Sequence, residues 1–76
     1  MAAKKSPANR ALGYAARSAR AEHGYAQESF AAHAGLDRSN YGAIERGEFN
    51  VTLDTIVKIA TGLGLTVAEL FHRAKL

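Results

Sequence analysis

The stretch "QESFAAHAGLDRSNYGAIERG", residues 27–47, contains two short helical patterns separated only by "GLD". Glycine tolerates the left-handed conformation just past a helix end, so Gly35 and Gly47 predict where the two helices end. Asp37 is placed to cap the second helix. Two short helices joined by a three- or four-residue turn containing glycine form a helix-turn-helix. A plain helical hairpin in a small bundle has the same spacing, so the spacing alone leaves both arrangements open.

The same reading extends in both directions and predicts an all-α chain of five helices. No stretch alternates apolar and polar residues as a half-buried strand does. The predicted helices cover about 7–23 and 27–34, then a third follows Asp37, a fourth starts near Thr52 and a fifth starts at Thr66. Ser6 can cap the first helix, and Thr66 with Glu69 forms a capping box at the last.

Apolar residues at helical spacing predict which side of each helix faces the core. The expected inward residues are Leu12, Ala15, Ala16 and Ala19 in the first helix, Phe30, Ala31 and Ala34 in the second, Tyr41 and Ile44 in the third, Leu53, Ile56, Val57 and Ala60 in the fourth, and Val67, Leu70 and Phe71 in the fifth.

Length and composition predict one small globular domain. The chain has 76 residues, 47% of them hydrophobic, and no cysteine. A chain this short buries only about 60% of its unfolded surface and often gains stability by dimerising. We expect residues 1–8 to form a flexible basic arm and residues 9–76 to form the domain. No apolar run approaches the roughly 18 residues of a membrane span, and a cytoplasmic location is expected.

The charge is uneven and suggests a polyanion partner. The formal net charge is +3, and five of the ten Lys and Arg residues precede the first acidic residue, Glu22. A solvated helix face behind a soluble tail has the same composition. The histidines, His23, His33 and His72, are scattered and lack metal-ligand spacing, so no metal, cofactor or enzymatic activity is predicted.

The polar front of the third helix carries the candidate base contacts. In a helix-turn-helix the second helix enters the major groove with its first residues at base edges. The predicted base contacts are therefore Arg38, Ser39, Gly42 and Ala43. An arginine binds guanine O6 and N7 with two hydrogen bonds. Gly42 costs about 1 kcal/mol of helix propensity relative to Ala. Close approach to DNA would explain that cost, and so would tight packing within the protein.

Phosphate contacts require donors at the edges of the groove. The candidates are Gln27, Asn40, Arg46 and Asn50, each of which could also be merely solvated. The free N–H groups at the start of the second helix would assist Gln27. Arg20 and Glu45 fall near the inner edges of their helices, and we predict an ion pair between them.

The stretches "QESFAAHAGLDRS" at 27–39, "IERGEFNVTL" at 44–53 and "GLGLTVAELF" at 62–71 together resemble the XRE-type, lambda-repressor-like helix-turn-helix family. The resemblance covers about residues 17–71, and its wording is most similar to the controller proteins of restriction–modification systems. It implies a five-helix bundle that binds double-stranded DNA as a two-fold dimer. It also implies the roles of Gln27, Arg46 and the Arg20–Glu45 pair given above.

The sequence departs from the family pattern at three places. Ala26 replaces the Ser or Thr that commonly caps the second helix, and Phe49 occupies an often basic position. Gly42 and Ala43 lack hydrogen-bonding side chains, which leaves direct base readout mainly to Arg38 and Ser39 and the remainder to DNA shape.

The sequence is compatible with two functions. The first is a transcriptional regulator that binds an operator as a homodimer and acts through DNA occupancy or contact with RNA polymerase. The second is an antitoxin or adaptor whose main ligand is a protein. Apolar Ile59, Leu63 and Leu65 are the dimer candidates, unless they complete the monomer core.

Overall fold

The computed structural model describes residues 6–76, and within this range the chain forms five α-helices and no strand. The helices are α1 Pro7–Glu22, α2 Gln27–Ala34, α3 Arg38–Glu45, α4 Leu53–Gly62 and α5 Val67–Arg73. The all-α prediction is confirmed. Residues 1–5 of the predicted basic arm lie outside the described residues, whereas residues 7 and 8 already belong to α1.

The helix starts are set by the side chains that the sequence indicates. Ser6 Oγ accepts a hydrogen bond from the Asn9 N–H at 3.0 Å, and Asp37 Oδ2 accepts one from the Asn40 N–H at 3.1 Å. The capping box of α5 is present in both directions, because Thr66 and Glu69 each bind the backbone N–H of the other. These contacts satisfy N–H groups that the first helical turn leaves without a partner.

The turn between α2 and α3 is tight. Gly35 ends α2 with φ 75°, a left-handed conformation that a side chain would strain. The N–H of Leu36 then donates to the Ala31 carbonyl at 2.8 Å, and the half-buried Leu36 side chain packs against the core. The turn therefore fixes α3 against α2 and exposes the start of α3.

The core lies between all five helices. Its largest fully buried side chains are Tyr41, Phe30, Ile44, Ile59, Leu63 and Leu70. Phe30 packs on Tyr41 with ring centroids 5.1 Å apart. Most predicted inward positions of α1, α2, α3 and α5 are confirmed, with Ala34, Val67 and Phe71 only half-buried at the margin.

The predicted inner face of α4 is partly wrong. Leu53 is 68% exposed and Val57 44% exposed, whereas Ile59 is fully buried. The sets 53-56-57-60 and 56-59-60-63 both have the spacing of one helical face, and they differ by a rotation of about 60° at 100° per residue. The protein uses the second set: Ile59, Ala60 and Leu63 are buried and Ile56 is half-buried. This face of α4 contacts α2 and α5.

This rotation also decides the position of the dimer candidates. Ile59 is 0% and Leu63 2% exposed, so both complete the monomer core and have no surface for a second copy of the chain. Leu65 is half-buried at the edge of that core.

α1 and α3 meet backbone to backbone at Gly13, which the sequence reading did not single out. A Cβ atom at this position would lie 2.6 Å from the carbonyl oxygen of Glu45 and closer still to that of Ile44. Only glycine permits this approach, which brings the middle of α1 beside the end of α3. Arg20, further along α1, then reaches Glu45.

Candidate nucleic-acid interface

Five of the eight predicted DNA-contact residues line one shallow polar depression at the junction of α2 and α3. These residues, here called the α3 depression, are Gln27, Arg38, Ser39, Gly42 and Arg46. Arg38 and Ser39 are exposed in the first turn of α3, where the Asp37 cap starts the helix. The residues predicted to touch bases and those predicted to touch phosphate are thus adjacent.

Gly42 forms the buried floor of this depression rather than part of an exposed face. A Cβ atom there would lie 3.1 Å from Gln27 Oε1 and 3.3 Å from Arg46 Nη1. The expectation that Gly42 lies on the solvent face is corrected, since its own neighbours cover it. Of the two explanations for this glycine, tight packing within the protein is the one that the structure supports. Ala43 is half-buried and lies outside the depression.

The predicted ion pair between α1 and α3 is confirmed. Arg20 Nε donates to Glu45 Oε2 at 2.6 Å, and Nη2 donates to Oε1 at 3.2 Å. The remaining amino group, Nη1, donates to the Tyr25 carbonyl at 2.7 Å. The side chains are 14% and 3% exposed, so the pair is removed from most of the solvent. Two parallel hydrogen bonds of this kind fix orientation as well as add energy.

Gln27 has a second role that the sequence reading missed. Its Nε2 donates to Glu45 Oε1 at 3.0 Å, so the start of α2 is tied to the end of α3. Burial alone would raise the pKa of Glu45. The hydrogen bonds that the carboxylate accepts, Arg20's first among them, outweigh this effect and lower the pKa. Burial also raises the pKa of the neighbouring Tyr41 hydroxyl, which therefore stays protonated.

Arg46 lines the depression, whereas the predicted contact residues Ala43, Asn40 and Asn50 do not. Arg46 is 56% exposed in its side chain, and its Nε lies 3.2 Å from Glu48 Oε1. Asn50 is exposed, and its Oδ1 accepts a hydrogen bond from Asn9 Nδ2 at 2.9 Å. Asn40 is exposed on α3. The sequence did not predict either partner. Glu48 is only two residues from Arg46, whereas Asn9 and Asn50 are 41 positions apart, and no pattern in the sequence indicates that their segments meet.

The start of α2 carries no side-chain cap from Ala26, as the departure from the family pattern predicted. Helix N-termini attract anions through their free N–H groups and their dipole. Here the N-terminus of α2 lies at Gln27, at the edge of the depression that Arg38 and Arg46 also line.

Comparison with known protein families shows the family to which this chain belongs. A sequence model described as helix-turn-helix matches residues 17–70. The chain belongs to the helix-turn-helix family. The predicted XRE-type resemblance is confirmed. No helix in residues 6–76 of this helix-turn-helix protein has the length and apolar character needed to cross a membrane.

The relatives of this helix-turn-helix protein include named control proteins. Control protein C.MunI from Mycoplasma sp is 56% identical over 45 residues, which cover 59% of this chain and 61% of that protein. Control protein C.SmaI from Serratia marcescens is 40% identical over 57 residues, with 75% of this chain and 68% of that protein covered. A hypothetical transcription factor from Neisseria meningitidis is 39% identical, and the match spans only 56% of its length.

The fold is shared with a solved controller protein. The crystal structure of the restriction–modification controller protein C.AhdI from Aeromonas hydrophila matches with a TM-score of 0.80 at 43% identity. The match covers 83% of this chain and 96% of C.AhdI. The clp gene regulator ClgR from Corynebacterium glutamicum matches with a TM-score of 0.86 at 27% identity, over 93% of this chain and 76% of ClgR.

Proposed function

We propose that this protein is a sequence-specific transcriptional regulator that binds double-stranded DNA with α3 in the major groove. The observation that carries the proposal is the α3 depression, which brings Arg38 and Ser39 beside Arg46 at the junction of two helices. A groove-reading helix needs polar side chains at its front and phosphate-binding groups beside it, and this surface offers both. Operator DNA as the ligand implies the cytoplasmic location expected above.

In this proposal, side chains of the first turn of α3 contact the bases. Arg38 is exposed and long enough to bind a guanine through O6 and N7, and Ser39 adds a less selective hydrogen bond. Ala43 offers only a methyl group, which suits the methyl of thymine. Gly42 contributes by letting Gln27 and Arg46 lie over it, and not by touching a base itself.

In the same proposal, residues at the edge of the depression bind the DNA phosphates. Arg46 is the strongest candidate, since its guanidinium is exposed and need only exchange Glu48 for a phosphate. The Nε2 group of Gln27 is already bound to Glu45, so in our proposal the backbone N–H groups of α2 provide the contact at that position. Asn40 and Asn50 are exposed and complete the set.

The proposal includes a homodimer, because one helix reads only a few base pairs and two half-sites lie about 34 Å apart. Leu65 is the remaining sequence-predicted candidate with accessible surface. It lines a second depression, here called the α5 depression, with Ala68, Glu69, His72 and Arg73. We propose that this face meets a second copy, and that regulation follows from DNA occupancy or from contact with RNA polymerase.

The experiment that tests the function is selection of bound duplexes from a random DNA library at about 150 mM salt, where non-specific binding is weak. The expected result is a two-fold motif with half-sites about one helical turn apart. The Arg38→Ala variant, carried through the same selection, should return a motif with one relaxed base pair per half-site. Absence of enrichment by a folded wild-type protein would contradict DNA regulation and favour a protein partner.

A further inference from the structure

A cleft beside the α3 depression extends the positive surface onto α1. The cleft, here called the α1 cleft, is lined by Arg17, Arg20, Gln27, Glu45 and Arg46. It shares Gln27 and Arg46 with the α3 depression, so the two form one continuous surface. Arg17 is the residue of this cleft to which no role has yet been given.

The three arginines of the α1 cleft differ in their partners. Arg20 is bound to Glu45 and to the Tyr25 carbonyl through all three of its nitrogens. Arg46 shares its charge with Glu48. Within the described residues, Arg17 has neither an ion pair nor a hydrogen bond to another side chain, and it is exposed. Its full charge therefore faces solvent at the rim of the cleft.

The lining of the cleft carries a net positive charge, because three guanidinium groups stand against the single carboxylate of Glu45. That carboxylate is only 3% exposed and is saturated by Arg20 and Gln27. The nearest other acidic group on α2, Glu28, is exposed and does not line the cleft. An anion entering from solvent thus meets the uncompensated charge of Arg17 first. Arg46 must exchange its partner Glu48, which lies outside the lining, for the anion.

We propose that Arg17 binds a phosphodiester group of the duplex backbone in the α1 cleft, whose lining also contains Arg46. This inference rests on the proposed DNA binding and adds α1 to the bound surface. The surface that contacts the DNA backbone would then extend from the first turn of α3, past the start of α2, to the exposed face of α1. Because a phosphate carries no base identity, Arg17 adds affinity and register but no sequence preference.

The test compares Arg17→Gln with Lys75→Gln, which removes the same charge at the exposed end of the chain after α5, away from both surfaces. Binding of the selected duplex and of an unrelated duplex is measured between 50 and about 300 mM salt. Each lost phosphate contact lowers the salt slope by about 0.9 and weakens binding about fivefold at roughly 0.15 M salt. We expect these losses per protomer for Arg17→Gln on both duplexes, and no comparable change for Lys75→Gln.

The conservative variant Arg17→Lys keeps the charge and should restore the wild-type salt slope. Thermal melting of each variant checks that the exposed substitution leaves the fold intact. An Arg17→Gln protein that matches Lys75→Gln in slope and affinity would overturn the inference while leaving DNA binding in place. A loss confined to the selected duplex would also overturn it, since it would indicate base readout. A wild-type protein that binds neither duplex would instead contradict the proposed function itself.

Discussion

At Glu45, one buried carboxylate accepts hydrogen bonds from side chains of two other helices. Arg20 of α1 binds both of its oxygens and Gln27 of α2 binds one. The groups that would approach DNA, Arg46 and the start of α2, are direct neighbours of this carboxylate. Its ionisation therefore couples the stability of the bundle to the geometry of the interface.

Glu45→Gln should destabilise the protein at neutral pH by about 3 kcal/mol, because it leaves the largely buried Arg20 without its counter-charge. The pKa of Glu45 is lowered in the folded protein from the usual 4.5. The stabilisation by this carboxylate is thus complete above about pH 4.5 and is lost as the pH falls through the lower, folded-state pKa. Urea denaturation at several pH values should show wild type and variant converging below that pH.

The control for this measurement is Glu28→Gln, which changes an exposed carboxylate on the same surface. It should leave the unfolding free energy nearly unchanged at neutral pH. A gap between wild type and Glu45→Gln that persisted undiminished to pH 3 would show that the ionised carboxylate is not the source of the stabilisation.

Arg38 and Arg46 are expected to differ in what their loss does to DNA binding. Arg38→Ala should cost about 1–3 kcal/mol and relax one base pair per half-site. Arg46→Ala should weaken binding to all sequences alike and lower the salt slope by about one unit. Affinity measurements on the selected duplex and its single-base variants separate the two results. Unchanged selectivity would remove Arg38 from base readout, and a sequence-selective loss would contradict a pure phosphate role for Arg46.

The sequence predicted the buried Arg20–Glu45 pair but not the polar groups around it. Arg20 and Glu45 lie on facing helix edges, so charge and helical position were enough to pair them. The bond from Gln27 to Glu45 could not be predicted in the same way, since it depends on how closely α2 approaches α3. The burial of Gly42 likewise follows from side chains that fold over it, which helical spacing does not describe.

Among the helices, the closest contact is between α1 and α3, and it depends on Gly13. A methyl group there would meet two backbone carbonyl oxygens that cannot move without shifting α3. At Gly42, in contrast, the nearest atoms are the ends of the flexible Gln27 and Arg46 side chains. Gly13 and Gly42 therefore make opposite predictions for the same substitution.

Gly13→Ala should destabilise the protein by about 1–3 kcal/mol, since the clash outweighs the gain in helix propensity of about 1 kcal/mol. Gly42→Ala should keep or slightly raise stability but weaken DNA binding, because Gln27 and Arg46 must move aside. Urea denaturation and DNA affinity, measured on both variants, test the pair. A Gly13→Ala protein as stable as wild type would contradict the backbone contact between α1 and α3.

For α4, the sequence predicted the helix and its start but not its rotation. The apolar residues of this helix cover more than one face, and two registers of the same spacing compete. The position of α2 and α5 around the helix selects the register that buries Ile59 and leaves Leu53 and Val57 exposed. Long-range packing of this kind has no signature within the α4 sequence itself.

At the scale of the whole molecule, two of the exposed apolar surfaces are alternative interfaces for the proposed dimer. One is the α5 depression, where Leu65 and Ala68 form the apolar part and Glu69 is held in its capping box. The other is the pair Leu53 and Val57 on α4. The α5 depression is concave and can therefore receive side chains of a second copy, whereas Leu53 and Val57 are neighbours on the convex surface of a helix.

Ala68→Glu should therefore convert the dimer to a monomer, because it places a charge in an interface that must exclude water. Ala68 is exposed and lies within α5, so the substitution leaves the monomer fold intact. Ala8→Glu, an equivalent change at an exposed position of α1, should leave the dimer unchanged. Sedimentation over a range of protein concentrations measures the result.

Dissociation by Val57→Glu but not by Ala68→Glu would assign the interface to α4 instead. A wild-type protein that stays monomeric even on its selected duplex would contradict the dimer, and the second half-site would then have no protomer to read it.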